Sequence, residues 1–308
     1  MRLSALKDPQ RIVEKLRRTL KSEGMAGVVQ RLSSQIRTPH AQSLKVCEPL
    51  LRGKAGFEIG GPSSIFRRSG LLPIYPLVGH LDNCNFGGST VWEGSIREGP
   101  NFHYDDSRPP GYQYLREAVE LSGIPSSSYD FVLSSHTLEH VSNPLRALQE
   151  WNRLLKHLGI MVLVVPHRDG TFDHRRPVTP FVHLVEDFES KVGEDDLAHL
   201  PEILRLHDLE RDPPAGSFDE FRRRSMDNAL NRCLHHHVFD SRLVATMMDY
   251  NSLRIWAIEP MPPFNIIAIG QKIALGEVPD NRAFLSGNAA YCRRSPFASD
   301  RVSRSAVA

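Results

Sequence analysis

The stretch YDFVLSSHTLEHVSNPLRALQEWNRLLKHLGIMVLVVP, residues 129–166, encodes a strand, a helix and a second strand with clear boundaries. Apolar runs at 129–133 and 160–165 are typical of buried strands. Between them, Asn143 offers a helix N-cap before Pro144, and leucines recur at helical spacing until Gly159, where we expect the helix to end. Strands this apolar need helices on both faces of the sheet, so the stretch predicts a largely parallel α/β sheet with its ligand beyond the strand carboxyl ends.

The stretch AGFEIGGPSS, residues 55–64, predicts the first strand and a ligand-binding turn. Phe57 and Ile59 supply the apolar strand residues, and Glu58 places a carboxylate near the carboxyl end. Gly60 and Gly61 follow as a turn with no side chain between backbone and ligand. A strand followed by a glycine turn opens the nucleotide crevice of doubly wound domains, but a plain connection has the same pattern.

Together these two stretches resemble class I S-adenosylmethionine-dependent methyltransferases, of the type 11-like kind associated with cell-surface glycan synthesis, over about residues 55–272. The resemblance implies a Rossmann-like, doubly wound, mostly parallel seven-stranded sheet with an antiparallel edge strand and a mainly helical cap insertion. It implies S-adenosyl-L-methionine as cofactor, with contacts from Glu58, Gly60, Gly61, Ser134 and Ser135. The sequence departs from the family pattern in having Glu58 for the commoner Asp, a serine for the third glycine and a short helix after the turn.

Two further acids are candidates for cofactor contacts. LLPIYPLVGHLDNCNF, residues 71–86, predicts a second strand that ends near Asp82, where a carboxylate would accept hydrogen bonds from ribose hydroxyls. An aspartate that caps a loop is the alternative. Residues 112–115 predict a third strand, and by resemblance Glu117 then faces the adenine amino group; as a bare residue it fits a solvated charge equally well.

Composition excludes several classes of protein. With 308 residues, 40% hydrophobic and 24% charged, the chain has the composition of a globular protein with a sizeable core. A net charge of +2 is too small to indicate nucleic-acid binding. The four cysteines form no CxxC pair and no zinc spacing, and no apolar run approaches the roughly 18 residues of a membrane span. We therefore expect reduced thiols and a cytoplasmic protein without a transmembrane segment.

Three regions follow from the chain pattern. Residues 1–50 form a basic extension, in which Asp8 caps an amphipathic helix; its narrow stripe favours docking on the domain or a partner over a peripheral membrane contact. Residues 51–273 form the methyltransferase-like domain. Residues 274–308, rich in Arg and Ser without period, predict a poorly ordered tail.

An insertion, residues 167–237, follows the strand at 160–165 before the pattern resumes with a helix capped by Asp240 and two strands. It carries helix signals of its own at Pro180 and in the capping box of Ser217 and Glu220. Because it rises from a strand carboxyl end, we expect it to cap the substrate crevice.

Eleven of the fourteen histidines lie between His136 and His237. Histidines at strand ends suit general base catalysis, which favours His136 and His167 first, followed by His174 and residues 235–237. We expect His183, His199 and His207, on helical stretches, to be surface or packing residues. No HxxxH or HExxH spacing makes a zinc enzyme specific, so we assign no metal site and keep metal binding as a minority interpretation.

Two classes of function remain. The first is a methyltransferase that acts on an oxygen of a small-molecule or glycan hydroxyl with a histidine base, and Asp173, Arg175 and Arg176 are candidates to bind the acceptor. The second is a methyltransferase-fold protein that binds a ligand or partner without turnover, which the altered glycine motif supports. A metal-dependent hydrolase built on the histidines is a distant third.

Overall fold

In the computed structural model, which describes residues 40–90, 94–274 and 276–302, eight strands form one sheet in the order β5, β6, β2, β1, β7, β8, β10, β9. A separate hairpin, β3 with β4, lies outside it. The strands are β1 (Ala55–Ile59), β2 (His80–Asn85), β3 (Ser89–Thr90), β4 (Gly94–Ser95), β5 (Gly99–Phe102), β6 (Gly111–Leu115), β7 (Tyr129–Ser135), β8 (Leu155–Pro166), β9 (Leu253–Met261) and β10 (Asn265–Lys272).

The sheet is mostly parallel, as predicted. β1 pairs in parallel with β2 on one side and β7 on the other, and β6 and β8 extend the parallel set. β10 runs antiparallel between β8 and β9, and β5 adds an antiparallel edge strand next to β6. The predicted α/β, Rossmann-like fold is therefore confirmed. The main sheet has eight strands in the described residues, where seven were expected.

Helices occur on both sides of the insertion and within it. They are α1 (Leu44–Leu51), α2 (Pro144–Leu154), α3 (Phe181–Ser190), α4 (Leu200–Leu206), α5 (Phe218–Met226), α6 (Asn228–Asn231), α7 (Ser241–Tyr250), α8 (Arg282–Leu285), α9 (Ala290–Arg294) and α10 (Ala298–Arg301). Among these described helices, none is long and apolar enough to cross a membrane. The helix predicted from Asp8 lies outside the described residues.

The two faces of the sheet bury two separate cores because successive strand residues point in opposite directions. On β7, Val132 joins the core that contains Trp151 of α2. Its neighbours Phe131 and Leu133 join the other core, under α1. The fully apolar strands predicted from the sequence are thus explained by burial on both sides.

The helix before β8 ends earlier than predicted. Asn143 caps α2 through its side chain, as expected, but α2 ends at Leu154 and not at Gly159. Pairing with β7 begins at once, with Tyr129 opposite Leu155, and then shifts so that Phe131 lies opposite Ile160. Gly159 therefore belongs to an irregularity of β8 and does not cap the helix.

One helix of the usual doubly wound pattern is missing. Between β1 and β2, residues 60–79 contain a single 3-10 turn, Ser64–Phe66, and no α-helix. Leu72, Ile74 and Val78 from this irregular segment are fully buried and cover the sheet face in its place. These apolar residues imitate a strand in the sequence, which explains why the strand predicted from Leu71 is wrong.

The insertion is mainly helical, as predicted, and contains α3 to α6. The capping box of Ser217 and Glu220 is present at the start of α5. A small core of Ile203, Phe221 and Leu234, with Ala215, holds the middle of the insertion together. This core is far smaller than either core of the sheet, so polar contacts carry more of the insertion's order.

The C-terminal segment differs from the prediction of a poorly ordered tail. Residues 282–301 include α8, α9 and α10, and Asp300 is completely buried. Its carboxylate accepts hydrogen bonds from the Ser241 and Ser295 hydroxyls, both at 2.7 Å, and lies 3.2 Å from Nε2 of His167. Order here comes from buried polar contacts, which leave no hydrophobic period in the sequence.

The N-terminal boundary of the domain also differs from the predicted one at residue 51. Residues 41–50 belong to the same unit as the sheet.

We predict that Asp300→Ala lowers the free energy of unfolding by about 3–5 kcal/mol, because it leaves buried donors without their charged partner. Burial alone would raise the pKa of Asp300, but His167 and the two serines lower it. The stabilisation is therefore present above the unfolded pKa of about 3.9 and is lost as the pH falls, so the two proteins converge in acid.

Urea unfolding at neutral and acidic pH measures the difference in free energy of unfolding between the wild type and Asp300→Ala. Asp280→Ala, which removes an exposed pair with Arg282 in the same segment, is the matched control and should change stability by under about 0.5 kcal/mol. Equal effects of the two substitutions would contradict a structural role for Asp300.

Candidate functional site

The carboxyl ends of β1 and β7 define the crevice of the sheet. The chain continues from β1 to β2 on one side, whereas β7 lies on the other, so the strand order reverses between β1 and β7. Ligands of doubly wound sheets bind at such a switch point. Ile59 at the end of β1 lies opposite Ser134 of β7. The predicted contacts Gly60, Gly61, Ser134 and Ser135 are thus brought together at one edge.

The two glycines are required by the protein's own side chains. Gly60 has a φ of +81°, and a Cβ built there would lie 2.3 Å from Oγ1 of Thr137. A Cβ on Gly61 would lie 2.3 Å from the carboxyl carbon of Glu58. The close approach that the glycines permit is therefore to Thr137 and Glu58, which the sequence alone did not suggest.

Glu58 lies beneath the turn and holds it in place. Its buried carboxylate accepts hydrogen bonds from the Ser63 hydroxyl at 2.6 Å and from the Tyr75 hydroxyl at 2.7 Å. Burial and the charge of Glu58 together raise the pKa of Tyr75, which keeps that hydroxyl a donor. Glu58 is thus a brace for the turn in this structure, and its predicted contact with the cofactor stays a prediction.

The amide groups of the turn are used within the protein. Gly60 N–H donates to the Cys84 carbonyl at 2.8 Å, and Gly61 N–H donates to Oδ1 of Asn83 at 2.9 Å. Ser63 N–H lies 2.6 Å from the Tyr75 hydroxyl, and Pro62 has no N–H. Phosphate-binding turns work by offering such groups to the anion. Residues 60–63 therefore do not suit a dinucleotide diphosphate, and a cofactor without phosphate fits them better.

Asp82 does not lie at the end of its strand. β2 runs to Asn85, and Asp82 is its third residue, opposite Phe57 in the middle of the sheet. Its carboxylate accepts from Tyr112 N–H at 2.7 Å and from the Tyr129 hydroxyl at 2.8 Å. The predicted placement was wrong by three residues because the preceding apolar segment is not a strand.

Asn85 occupies the strand end that was predicted for Asp82. Its side chain lies 2.6 Å from the Asn83 amide nitrogen, which also donates to Oε1 of Gln113 at 2.8 Å. A cavity of about 390 Å³ adjoins this network and is lined by Gly61 and Gln113, with Arg97 at its wall. A correct boundary for β2 would have identified Asn85 from the sequence.

The insertion reaches the ends of β2 and β6. Glu117, predicted near the adenine, pairs with Arg232 of the insertion at 2.7 Å, and the Arg232 guanidinium lies 5.3 Å from the Phe86 ring centroid. Among the described residues, Nε and Nη1 of Arg232 are buried without a hydrogen-bond partner. The insertion therefore lies over the strand ends, where a cap would be placed.

His136 follows β7 directly and has a φ of 51°. Its Nε2 lies 2.9 Å from Oδ1 of Asn265, and its Nδ1 lies 3.5 Å from Oε1 of Glu139. Burial opposes the charged imidazole, but the Glu139 carboxylate outweighs it and raises the pKa of His136. The imidazole is about one-third exposed, so it can meet a ligand.

Glu139 was not singled out from the sequence, although it lies four residues beyond the end of β7. Burial alone would raise the pKa of this carboxyl, but His136, His140 and His235 lower it. Its second oxygen, Oε2, is buried and has no hydrogen-bond partner in the described part of the chain. Burial and the charge of His235 lower the pKa of His140 to about 4, so that imidazole is neutral.

The other two predicted catalytic histidines are placed differently. His167 does not face the crevice, since it is fully buried and stacks on Phe297 at 3.9 Å. Its Nδ1 accepts from Asp169 N–H, and its Nε2 lies 3.2 Å from Oδ1 of Asp300. The C-terminal segment covers it, which the prediction of a disordered tail had missed. His174 is partly exposed on the insertion and pairs with Asp208 at 2.8 Å.

Comparison with known proteins agrees with this arrangement over part of the chain. A family model described as a methyltransferase domain matches residues 99–163, which span β5 to most of β8. No curated protein matches the sequence.

Several solved methyltransferases resemble the chain weakly. One is an S-adenosylmethionine-dependent enzyme of Methanosarcina mazei, with 14% identity and a TM-score of 0.41 over 74% of this chain and 97% of that one. Another is from Aquifex aeolicus, with 11% identity, a TM-score of 0.36 and coverages of 75% and 90%. A third, a Burkholderia thailandensis 1,6-didemethyltoxoflavin-N1-methyltransferase with bound S-adenosylhomocysteine, has 12% identity, a TM-score of 0.39 and coverages of 88% and 93%. Similarities at this level transfer no substrate or activity to this chain.

The family match and the chemistry of the crevice together support S-adenosylmethionine as the cofactor. The glycine turn has its amides engaged, as suits a group without phosphate. Asn85 stands at the end of β2, and Ser134 lies opposite the end of β1. Glu139 lies four residues beyond β7. In the described part of the chain, the Ser134 hydroxyl and Glu139 Oε2 have no hydrogen-bond partner. These residues fit the polar groups of a nucleoside and an amino acid.

The contact between Gly61 and Glu58 generates a test. We predict that Gly61→Ala lowers the free energy of unfolding by about 1–3 kcal/mol, because the new Cβ displaces the buried carboxylate. In a Glu58→Ala background the same change should cost much less, since the space is then open. Urea unfolding of the four proteins gives the coupling energy. Additive effects would show that Glu58 does not constrain Gly61.

Proposed function

We propose that the protein is an S-adenosylmethionine-dependent methyltransferase that methylates a hydroxyl of a small molecule or glycan. The observation that carries the proposal is the reversal of strand order at a glycine turn whose amides are all engaged, in a sheet of which β5 to most of β8 match a methyltransferase domain. When bound, the cofactor supplies an electrophilic methyl group on a sulfonium. The protein's part is to bind the cofactor, to orient the acceptor and to remove the proton of its hydroxyl.

The residues at the crevice divide these tasks among them. Gly60 and Gly61 form the turn at the end of β1, and Ser134 and Ser135 line the same edge from β7. Asn85 takes the place proposed for Asp82 and binds the ribose hydroxyls, while Glu117 lies beside β6 for the adenine. Arg232 covers this end of the crevice from the insertion.

His136 is the proposed general base. A hydroxyl has a high pKa and needs a base when it attacks the methyl group. Glu139 beside Nδ1 orients the ring and stabilises the imidazolium that forms, and Nε2 then accepts the proton after leaving its contact with Asn265. His167 is excluded from this role by its burial.

The acceptor is bound differently from the sequence prediction. Asp173 and Arg176 are buried and pair with each other at 3.0 Å, and Asp173 also contacts His235. They therefore hold the insertion together and do not reach a sugar. Arg175 is half exposed and stays a candidate for an acidic or nucleotide-linked group on the acceptor.

The second candidate function is a methyltransferase-fold protein that binds without turnover. The altered glycine turn favours it, and residues 60–79 also lack the α-helix that usually follows the first strand of a doubly wound sheet. Binding of S-adenosylhomocysteine without any methyl transfer would support this alternative.

Calorimetry with S-adenosylhomocysteine tests the cofactor assignment. The wild-type protein should bind, and Asn85→Ala should weaken binding about tenfold, the equivalent of about one lost hydrogen bond. Asp82→Asn, three residues earlier on the same strand, is the matched control and should change the Kd less than about twofold. The reverse pattern would restore Asp82 as the ribose ligand, and no binding to the wild type would refute the proposed function.

Measurements of turnover test the assignment of His136 as the general base. With isotope-labelled S-adenosylmethionine and a panel of hydroxyl acceptors, His136→Gln should lower kcat by about 10²–10⁴ at saturating cofactor while leaving cofactor affinity unchanged. His157→Gln, an exposed histidine on β8, is the control. Because the base acts as neutral imidazole, the rate should rise with pH through the raised pKa of His136. In Glu139→Gln the midpoint of the pH–rate profile should move to lower pH. An unchanged midpoint would contradict the role of His136 as the base.

A further inference from the structure

Four polar side chains from three segments of the insertion converge on one point. His183 and Asp187 lie four residues apart on α3, so they share one face of the helix. His199 immediately precedes α4, and His237 ends the insertion. Each residue offers one ligand atom, and the four atoms lie within 4.8 Å of one another.

Two of the three separations in this cluster fall in the range expected between ligands of a single small cation, and the third is slightly shorter. Nε2 of His183 lies 3.0 Å from Nε2 of His199 and 3.4 Å from Oδ2 of Asp187. Nε2 of His237 lies 3.6 Å from the same carboxylate oxygen. Zinc bonds of about 2.0–2.2 Å at tetrahedral angles place ligand atoms about 3.3–3.6 Å apart.

The cluster also contains a buried polar atom that lacks a partner. Asp187 is more than nine-tenths buried and His237 almost completely so. Oδ2 of Asp187, one of the atoms that face the proposed ion, has no hydrogen-bond partner within the described ranges. Polar atoms are rarely left unpaired in the interior of a folded protein, and a bound ion can satisfy them.

A neighbouring side chain holds the cluster in place. Asn143 donates through its side-chain amide to the backbone carbonyl of Asp187 at 2.8 Å. Contacts of this kind around a set of ligands fix their orientation. A cation at this point would join α3, the start of α4 and the end of the insertion to the segment that begins α2.

We propose that His183, Asp187, His199 and His237 bind one zinc-like divalent transition-metal ion that stabilises the insertion. Three imidazoles and one carboxylate suit such an ion better than Mg²⁺ or Ca²⁺, which prefer oxygen ligands. Four protein ligands leave no open position, so the site is structural and takes no part in methyl transfer. The competing arrangement is metal-free, with His183 donating to His199 and His237 to the Ser142 carbonyl.

Metal analysis of the full chain, expressed without an affinity tag and purified without metal resin, tests the site. The wild type should carry about one equivalent more zinc per chain than His183→Ala or His199→Ala. His207→Gln is the matched control, because His207 is a buried histidine of the same insertion that pairs with Asp212 at 3.2 Å outside the cluster. Its zinc content should equal that of the wild type.

Two further measurements keep the test decisive if a variant folds poorly. Stripped wild-type protein offered Co²⁺ should develop the visible absorption of a tetrahedral nitrogen and oxygen site, and Asp187→Asn should alter that spectrum. A chelator should lower the Tm of the wild type and of His207→Gln but not that of His199→Ala. Equal zinc in all proteins, or stripped wild type that takes up neither Zn²⁺ nor Co²⁺, would overturn the proposal; neither result bears on cofactor binding.

Discussion

The buried carboxylate of Glu58 is the constraint on which the crevice depends. It is desolvated, and the hydroxyls of Ser63 and Tyr75 compensate for that cost. The Glu58 carboxylate fills the space beside Gly61, so a side chain at that position would displace it. With no α-helix between β1 and β2, the contacts of this carboxylate fix the turn.

The insertion is held together by polar contacts as well as by its small apolar core. His174 with Asp208, His207 with Asp212 and His235 with Asp173 each join an imidazole to a carboxylate across the insertion. The charges of His235 and Arg176 lower the pKa of Asp173 to about 2 although burial opposes this. Such pairs specify one arrangement of the segments because a shifted arrangement would leave a buried charge alone. The abundance of histidine, interpreted from the sequence as catalytic material, is therefore largely structural.

The sequence predicted the β7, α2 and β8 unit because its apolar runs and the Asn143 cap act locally. It failed where the determining contact is distant in the chain. The segment containing Leu72 and Ile74 has strand-like composition, yet it packs against the face of the sheet. For this reason the predicted boundaries of β2 were wrong, and Asn85 was not identified as the residue at its end. The order of the C-terminal segment rests on Asp300 meeting Ser241, a contact across 59 residues that leaves no periodic signal. For the same reason no spacing rule revealed the cluster of His183, Asp187, His199 and His237.

Hydrogen-bond saturation separates structural from functional acids in this protein. Asp82 and Asp300 are buried and accept from several protein donors, so binding a ligand would require them to give up contacts that the fold uses. Glu139 is equally buried but keeps one oxygen without a hydrogen-bond partner among the described residues, beside the partly exposed imidazole of His136. Desolvation of such an oxygen is unfavourable until something donates to it. The protonated form of His136 or a bound hydroxyl can do so, which makes the end of β7 the place where a ligand improves the energetics of the fold.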